Sequence, residues 1–85
     1  MRSMPYIRFY SSKFMIEVSD LTMIERGYYI TLLCSQHTIG RLTEREILII
    51  CGIKSLSEID YVMRKFDRDE NGLYYNRQMD EEIQK

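Results

Sequence analysis

The sequence has few of the residues on which most recognisable chemical sites depend. It contains one histidine, two cysteines and no CxxC spacing, so it lacks the clustered ligands that a zinc site requires. The phosphate-binding and nucleophile motifs GxxxxGKS/T, GxGxxG and GxSxG are also absent. We therefore predict that the chain is not an enzyme and that it binds neither a cofactor nor a metal.

Neither sign of charge is in excess, because 12 basic and 13 acidic residues leave a formal net charge of -1. The strongly basic composition that often marks nucleic-acid binding is therefore excluded, and any binding to phosphate must come from how the charges are arranged. No apolar run approaches the roughly 18 residues of a membrane span, and residues 1–5 lack the apolar core of a signal peptide. We expect a cytoplasmic protein in which Cys34 and Cys51 are buried free thiols rather than a disulfide.

Proline and glycine are also scarce, with one and four residues respectively, and no linker-like or repeated segment divides the chain. The 85 residues are enough for one hydrophobic core and no second one. We therefore predict that residues 1–85 form a single domain.

Three capping boxes, each a Ser or Thr followed three residues later by Glu, predict the starts of three helices. They begin at Thr22, Thr43 and Ser55. Gly40 and Gly52 supply the residues that favour helix ends. The predicted helices cover residues 22–37, 43–51 and 56–66, with a short helical turn over residues 12–18 before them.

The remaining segments predict a small sheet and a last helix. Asn71-Gly72 between residues 65–68 and residues 73–75 indicates a hairpin with a type I′ turn. Residues 6–10 are predicted to form an aromatic strand that needs this hairpin as its partner. Asn76 is placed to cap a helix that carries Met79 and Ile83 on one side. The predicted fold is α+β but mostly α, a winged helix-turn-helix with three core helices, a small antiparallel sheet and a C-terminal helix.

The helical period divides the core from the surface. We expect burial of a set of apolar side chains from all three helices, namely Leu32, Leu33, Ile47, Ile50, Ile59, Val62 and Phe66. The stripe of Met79 and Ile83 on the last helix is expected to pack back on the domain or to form a homodimer with a second copy, because so short a helix is unstable alone.

The third helix has the polar, aromatic and basic outward side that a recognition helix needs. The candidate DNA-binding residues on this side and next to it are Lys54, Ser57, Tyr61, Arg64, Lys65 and Arg68. The alternative is that the face is simply solvated, since most basic helix faces bind nothing. The acidic hairpin tip, residues 69–72, argues against insertion of the hairpin into a DNA groove.

Several segments together resemble one family. The segments are residues 4–10, 20–22, 25–33, 40–42 and 71–77, and the most specific is Glu25-Arg26-Gly27 followed by an aromatic residue and two leucines. They are similar to the YdaU-like family of phage and prophage domains. The chain departs from the family pattern at Ser11, where proline is usual, and members often continue beyond the position of Lys85.

The resemblance implies a winged helix at the N-terminus of a phage replication-initiation or replisome-organiser protein. It implies binding to double-stranded origin DNA, or to the host helicase or helicase loader. We take DNA binding as the first hypothesis. The alternatives are a protein-interaction adaptor with the same fold, in the helicase-loading machinery, and a small transcriptional repressor, which requires a dimer and a palindromic site. Gly27, inside a helix, is expected to permit close approach of the first strand or the hairpin.

Overall fold

Five α-helices and a two-stranded antiparallel sheet make up residues 9–84, the part of the chain that the computed structural model describes. The α-helices are α1 (Ser11–Glu17), α2 (Met23–Ile39), α3 (Glu44–Cys51), α4 (Asp60–Met63) and α5 (Arg77–Gln84). A 3₁₀ helix (Leu56–Ile59) precedes α4, and the strands β1 (Asp67–Arg68) and β2 (Tyr74–Tyr75) follow α4. The predicted mostly helical α+β class is confirmed.

The predicted starts of α2 and α3 and the predicted end of α3 are confirmed, whereas α2 ends at Ile39, two residues beyond its predicted end. The hydroxyl of Thr22 accepts a hydrogen bond from the amide of Glu25 at 3.2 Å, and the Glu25 carboxylate accepts one from the amide of Thr22 at 2.8 Å. Thr43 and Glu46 form the same pair of bonds at 3.1 and 2.8 Å. Gly52 ends α3 at φ 66°, a left-handed conformation that favours glycine. Local sequence therefore determines where both helices begin and where α3 ends.

The prediction of one continuous helix over residues 56–66 is wrong, because the segment is a 3₁₀ helix followed by a single α-helical turn. The carboxylate of Glu58 accepts hydrogen bonds from the amides of Lys54 at 2.9 Å and Ser55 at 3.1 Å. This holds the first turn tight, and Ile59 then departs from helical geometry with φ -126°. The side chains that follow are rotated from the positions that a regular helix would give them.

The hairpin is confirmed, but its type I′ turn is not. β1 and β2 pair antiparallel with Asp67 opposite Tyr75, and Asp69 and Leu73 flank a three-residue loop in which Gly72 alone has positive φ, at 81°. The carboxylate of Asp69 accepts hydrogen bonds from the amides of Asn71 and Leu73, both at 2.9 Å. Because the Asp69 side chain organises the loop, the chain adopts a longer turn of the type that ends on one left-handed glycine.

A third chain segment lies beside the hairpin. The amide of Leu42 donates to the carbonyl of Tyr74 at 2.9 Å, and the amide of Tyr74 donates to the carbonyl of Leu42 at 2.7 Å. The predicted first strand falls mainly on residues 6–8, which lie outside the described residues, while Phe9 and Tyr10 are not in a strand. In the described part of the chain, the link between α2 and α3 therefore takes the place beside β2 that we expected for the N-terminal strand.

The core contains every side chain predicted to be buried except Ile50, which is half-buried. Ile50 lies at a shallow surface pocket with Ile24, Gly27 and Tyr28, where Gly27 has no side chain to cover it. Of the two approaches expected at Gly27, that of the hairpin is not found, since apart from its chain neighbours and its own helix backbone no described heavy atom lies within 4 Å of the position that a Cβ would take there. The predicted first strand lies mainly outside the described residues.

The last helix, α5, packs back on its own domain, which is one of the two arrangements expected. Asn76 caps it as predicted, because the Asn76 side-chain oxygen accepts a hydrogen bond from the amide of Met79 at 3.0 Å. Met79 is buried in the core and Ile83 is half-buried against it. The apolar stripe that we considered for a homodimer is therefore largely covered within the chain.

Both cysteines are free, as predicted, but neither is buried. Cys34 is exposed because the buried stripe of α2 consists of positions 29, 32, 33 and 36, and position 34 lies outside it. Cys51 is half-buried at the end of α3, and this burial raises the pKa of its thiol.

Candidate nucleic-acid interface

Four of the predicted DNA-binding residues are exposed in and beside the 3₁₀ helix and α4, and we call this set the α4 ridge: Lys54, Ser57, Tyr61 and Arg64. Their spacing of three, four and three residues is that of one helix face, but the departure of Ile59 from helical geometry interrupts this period. Tyr61 and Arg64, which follow the break, are in contact with each other. The side chain of Arg64 is 65% exposed and Tyr61 is 52% exposed. The ridge therefore presents an ammonium, a hydroxyl, a phenol and a guanidinium to solvent.

The guanidinium of Arg64 is held by its neighbours. Its Cζ lies 4.5 Å from the centre of the Tyr61 ring, and its Nη2 lies 3.4 Å from an oxygen of Asp60. Both partners of this ion pair are about two-thirds exposed, and such surface pairs contribute little free energy. Arg64 can therefore exchange Asp60 for an external phosphate at small cost.

Lys65 does not lie on the outward face where the helical period placed it. Its Nζ is 3.0 Å from a carboxylate oxygen of Asp20, and its side chain is only 15% exposed. The hydrogen bond from Lys65 lowers the pKa of Asp20. The placement follows from the end of α4 at Met63: beyond it the chain turns, and the carbonyl of Lys65 faces Asn76 inside the domain.

Arg68 is exposed on the hairpin and does not continue the helix. Its Cζ lies 5.3 Å from the centre of the Tyr74 ring across the sheet, and its Nε donates to the carbonyl of Gly72 at 3.4 Å. The hairpin thus contributes one cation to the candidate interface, separate from the α4 ridge.

Arg41 was missed by the sequence analysis and joins three parts of the fold. Its guanidinium pairs with Asp69 at 3.0 Å and with Asp80 at 2.9 Å, and its Cζ lies 3.9 Å from the centre of the Tyr75 ring. These partners raise the pKa of Arg41 still further. The pKa of Asp69 is lowered by the amide of Leu73 and also by Arg41.

This cluster changes the character of the hairpin tip. Asp69, counted in the sequence as part of an acidic tip, is directed at Arg41 and its own loop, so that its charge is compensated. Glu70 keeps an exposed position at the tip. Arg41 belongs to the Gly40-Arg41-Leu42 segment of the family resemblance. Its partners Asp69 and Asp80 lie 28 and 39 positions away along the chain, so no local sequence pattern predicts these ion pairs.

A buried polar network positions the hairpin and α5 against α2. Gln36 is completely buried and binds the backbone of Asn76 twice, donating to its carbonyl at 3.2 Å and accepting from its amide at 2.7 Å. The Asn76 side chain donates to the carbonyl of Lys65 at 3.0 Å and to the hydroxyl of Tyr29 at 3.4 Å. Burial, with a contribution from Glu17, raises the pKa of Tyr29 to about 12.

Residues 9–84 contain no group of three or more His, Cys, Asp or Glu side chains arranged to hold a metal ion. Among the helices of this same part, none is both long and apolar enough to cross a membrane. Comparison of the chain with protein-family models, with curated proteins and with solved structures finds no match.

Proposed function

We propose that this chain is a winged helix-turn-helix domain that binds double-stranded DNA through the α4 ridge and Arg68. The four-residue link 52–55 between α3 and the 3₁₀ helix begins with glycine, as in many helix-turn-helix motifs. The hairpin follows α4 directly, and Leu42, between the first two helices of the motif, lies beside β2. This order of elements supports a winged helix.

The chemistry of the α4 ridge carries the proposal for DNA. Arginine and lysine bind phosphate or guanine edges, serine binds either, and tyrosine binds phosphate. All four ridge residues are exposed. Tyr61 lies in α4 and the other three lie next to it along the chain, in the region that corresponds to the helix that enters the major groove in helix-turn-helix proteins.

The phage and replication context rests on the family resemblance of the residues alone. It adds to the proposal that the DNA is a phage or prophage replication origin and that the domain acts in replication initiation in the cytoplasm of the host. Contact with the host helicase or its loader is then the expected next step, through this domain or through sequence beyond it.

A protein-interaction adaptor is the second candidate, and one observation favours it. Met23, Ile24 and Ile49 are between 65% and 76% exposed, and exposed apolar groups of this kind often mark binding surfaces. With Lys65 paired to Asp20, fewer cations are available for DNA than the sequence indicated. A repressor is less well supported, because the stripe considered for its dimer is covered by the domain itself.

The salt dependence of DNA binding tests the proposal. The available cations are Lys54, Arg64 and Arg68, so the slope of log affinity against log salt should be about 3 or less. We expect wild-type protein to bind a fluorescein-labelled duplex of a candidate origin in anisotropy titrations at low salt. Arg64→Glu should weaken binding by about tenfold or more and reduce the slope by about 1.

Arg77→Glu is the matched control. Arg77 is an exposed arginine that pairs with Asp67 at 3.0 Å, as Arg64 pairs with Asp60, and it lies outside the ridge. Arg77→Glu makes the same change in net charge as Arg64→Glu. Because Arg77 lies outside the ridge, Arg77→Glu should weaken DNA binding much less. Equal losses in Arg64→Glu and Arg77→Glu, or no binding by the folded wild type at any salt, would contradict the proposal and favour the adaptor.

A further inference from the structure

A surface groove lies between α1, α2 and α5, away from the α4 ridge. Its volume is about 240 Å³ and its lining comes from residues 9–17, 29–33 and 76–82. No described lining residue belongs to the α4 ridge, to β1 or to β2. The groove is therefore a second surface, and an occupant of it would not compete with DNA for side chains.

Aromatic rings form one wall of this groove, which we call the aromatic groove. Phe9 is 59% exposed and Tyr10 is 51% exposed. The ring of Phe9 lies 5.3 Å from that of Phe14, which in turn stacks on Tyr29 at 6.2 Å, measured between ring centres. Two exposed aromatic residues supported by two rings packed more deeply offer apolar area and ring faces to a ligand.

Carboxylates dominate the charge of the lining. Glu17 and Glu81 line the groove, as does Glu82, which has an interaction partner of its own. Lys13 is the single cation among the lining residues that the structure describes. An anionic surface of this kind attracts cationic partners and repels anionic ones. Nucleic acids and anionic lipid headgroups are therefore unsuitable occupants, whereas lysine and arginine side chains are favoured by the carboxylates and by the ring faces.

We propose that the aromatic groove binds a short basic segment of a partner protein, in which lysine or arginine alternates with apolar side chains. The cationic groups lie over the rings and beside the carboxylates, and the apolar side chains cover Phe9 and Phe14. This inference does not depend on DNA binding.

Two synthetic peptides test the proposal in titrations followed by ¹⁵N–¹H NMR. The probe is an acetylated and amidated hexapeptide of sequence KLKLKL, and the charge-reversed probe is ELELEL. We expect KLKLKL to shift amide signals of residues 9–17, 29–33 and 76–82, and ELELEL to leave them unchanged. Binding of both peptides alike, or shifts confined to other residues, would overturn the proposal.

Double variants test whether the carboxylates of the aromatic groove contribute to peptide binding. Glu17→Gln with Glu81→Gln should weaken KLKLKL binding roughly two- to thirtyfold, as expected for two exposed charge pairs. The control combines Glu44→Gln with Glu70→Gln, which removes the same charge from exposed positions outside the groove and should bind as the wild type. Equal weakening in both double variants would show a general charge effect and refute the site.

A third variant tests the aromatic wall, and a fourth separates this proposal from the DNA proposal. Phe9→Ser should weaken KLKLKL binding while the rest of the spectrum shows an intact fold, since Phe9 is mostly exposed; unchanged binding would refute the role of the ring. Arg64→Glu should leave peptide binding unchanged. Failure of DNA binding with intact peptide binding, or the reverse, therefore removes one proposal and leaves the other.

Discussion

Replacement of Asn76 by alanine tests how the hairpin and the last helix are held in place. The Asn76 side chain caps α5 through the amide of Met79 and donates to the carbonyl of Lys65 at the end of the third helical segment. Gln36 binds only the backbone of residue 76, so its two hydrogen bonds survive the substitution. The change therefore isolates the side-chain contacts.

The expected loss of stability follows from these contacts. Loss of a side-chain N-cap costs about 1 kcal/mol, and leaving a buried carbonyl without its donor costs about 1–3 kcal/mol. We expect Asn76→Ala to lower the free energy of unfolding by about 2–4 kcal/mol. A domain of this size has roughly 4–13 kcal/mol in total, so the variant should be close to unfolding in the less favourable case.

Urea denaturation followed by far-ultraviolet circular dichroism measures the loss. Asn76→Ser keeps an oxygen that can cap α5 but is too short to reach the Lys65 carbonyl, so it should be about 1 kcal/mol more stable than Asn76→Ala. Asn71→Ala changes an exposed asparagine in the hairpin loop and should have almost no effect. A loss below about 1 kcal/mol in Asn76→Ala, or equal stability of the alanine and serine variants, would refute the reasoning.

Three further predictions concern stability and reactivity. Gly27→Ala should stabilise the domain by about 1 kcal/mol in the same urea assay, because alanine has the higher helix propensity and, apart from chain neighbours and the helix's own backbone, no described heavy atom lies within 4 Å of the new methyl group; a loss of stability would contradict this reasoning. Arg41→Leu should destabilise the fold more at pH about 7 than at pH about 2 in urea melts. The pKa of Asp69 is lower in the folded than in the unfolded protein. The ionised Asp69 carboxylate therefore stabilises the fold above its unfolded pKa, and this stabilisation is lost as the pH falls through its folded pKa. Equal destabilisation by Arg41→Leu at both pH values would contradict the pairing. Cys34 should react with Ellman's reagent faster than Cys51, which is half-buried and has a raised pKa; single serine variants of each cysteine assign the two phases, and the opposite order would be inconsistent with the fold.

Local sequence was enough to predict α2, α3, α5 and most of the core, but not the break between the 3₁₀ helix and α4. The capping boxes at Thr22 and Thr43 and the left-handed glycine Gly52 involve only residues within four positions of each other. All the groups that form these caps can therefore be identified from a short stretch of sequence. The helical period likewise identified Leu32 and Val62 as buried, because the side of a helix that carries apolar residues must face the core. The cap at Asn76 was found by the same local rule.

Tertiary structure alone decided the partners of the charged and sheet-forming residues. Arg41 meets Asp69 and Asp80, and Lys65 meets Asp20, across separations along the chain that no periodicity encodes. Leu42 lies beside Tyr74 because packing of α2 and α3 brings the link between them to the hairpin. Where a side chain depends on neighbours distant in sequence, many pairings are compatible with the same local pattern, and only the folded arrangement of the helices selects one of them.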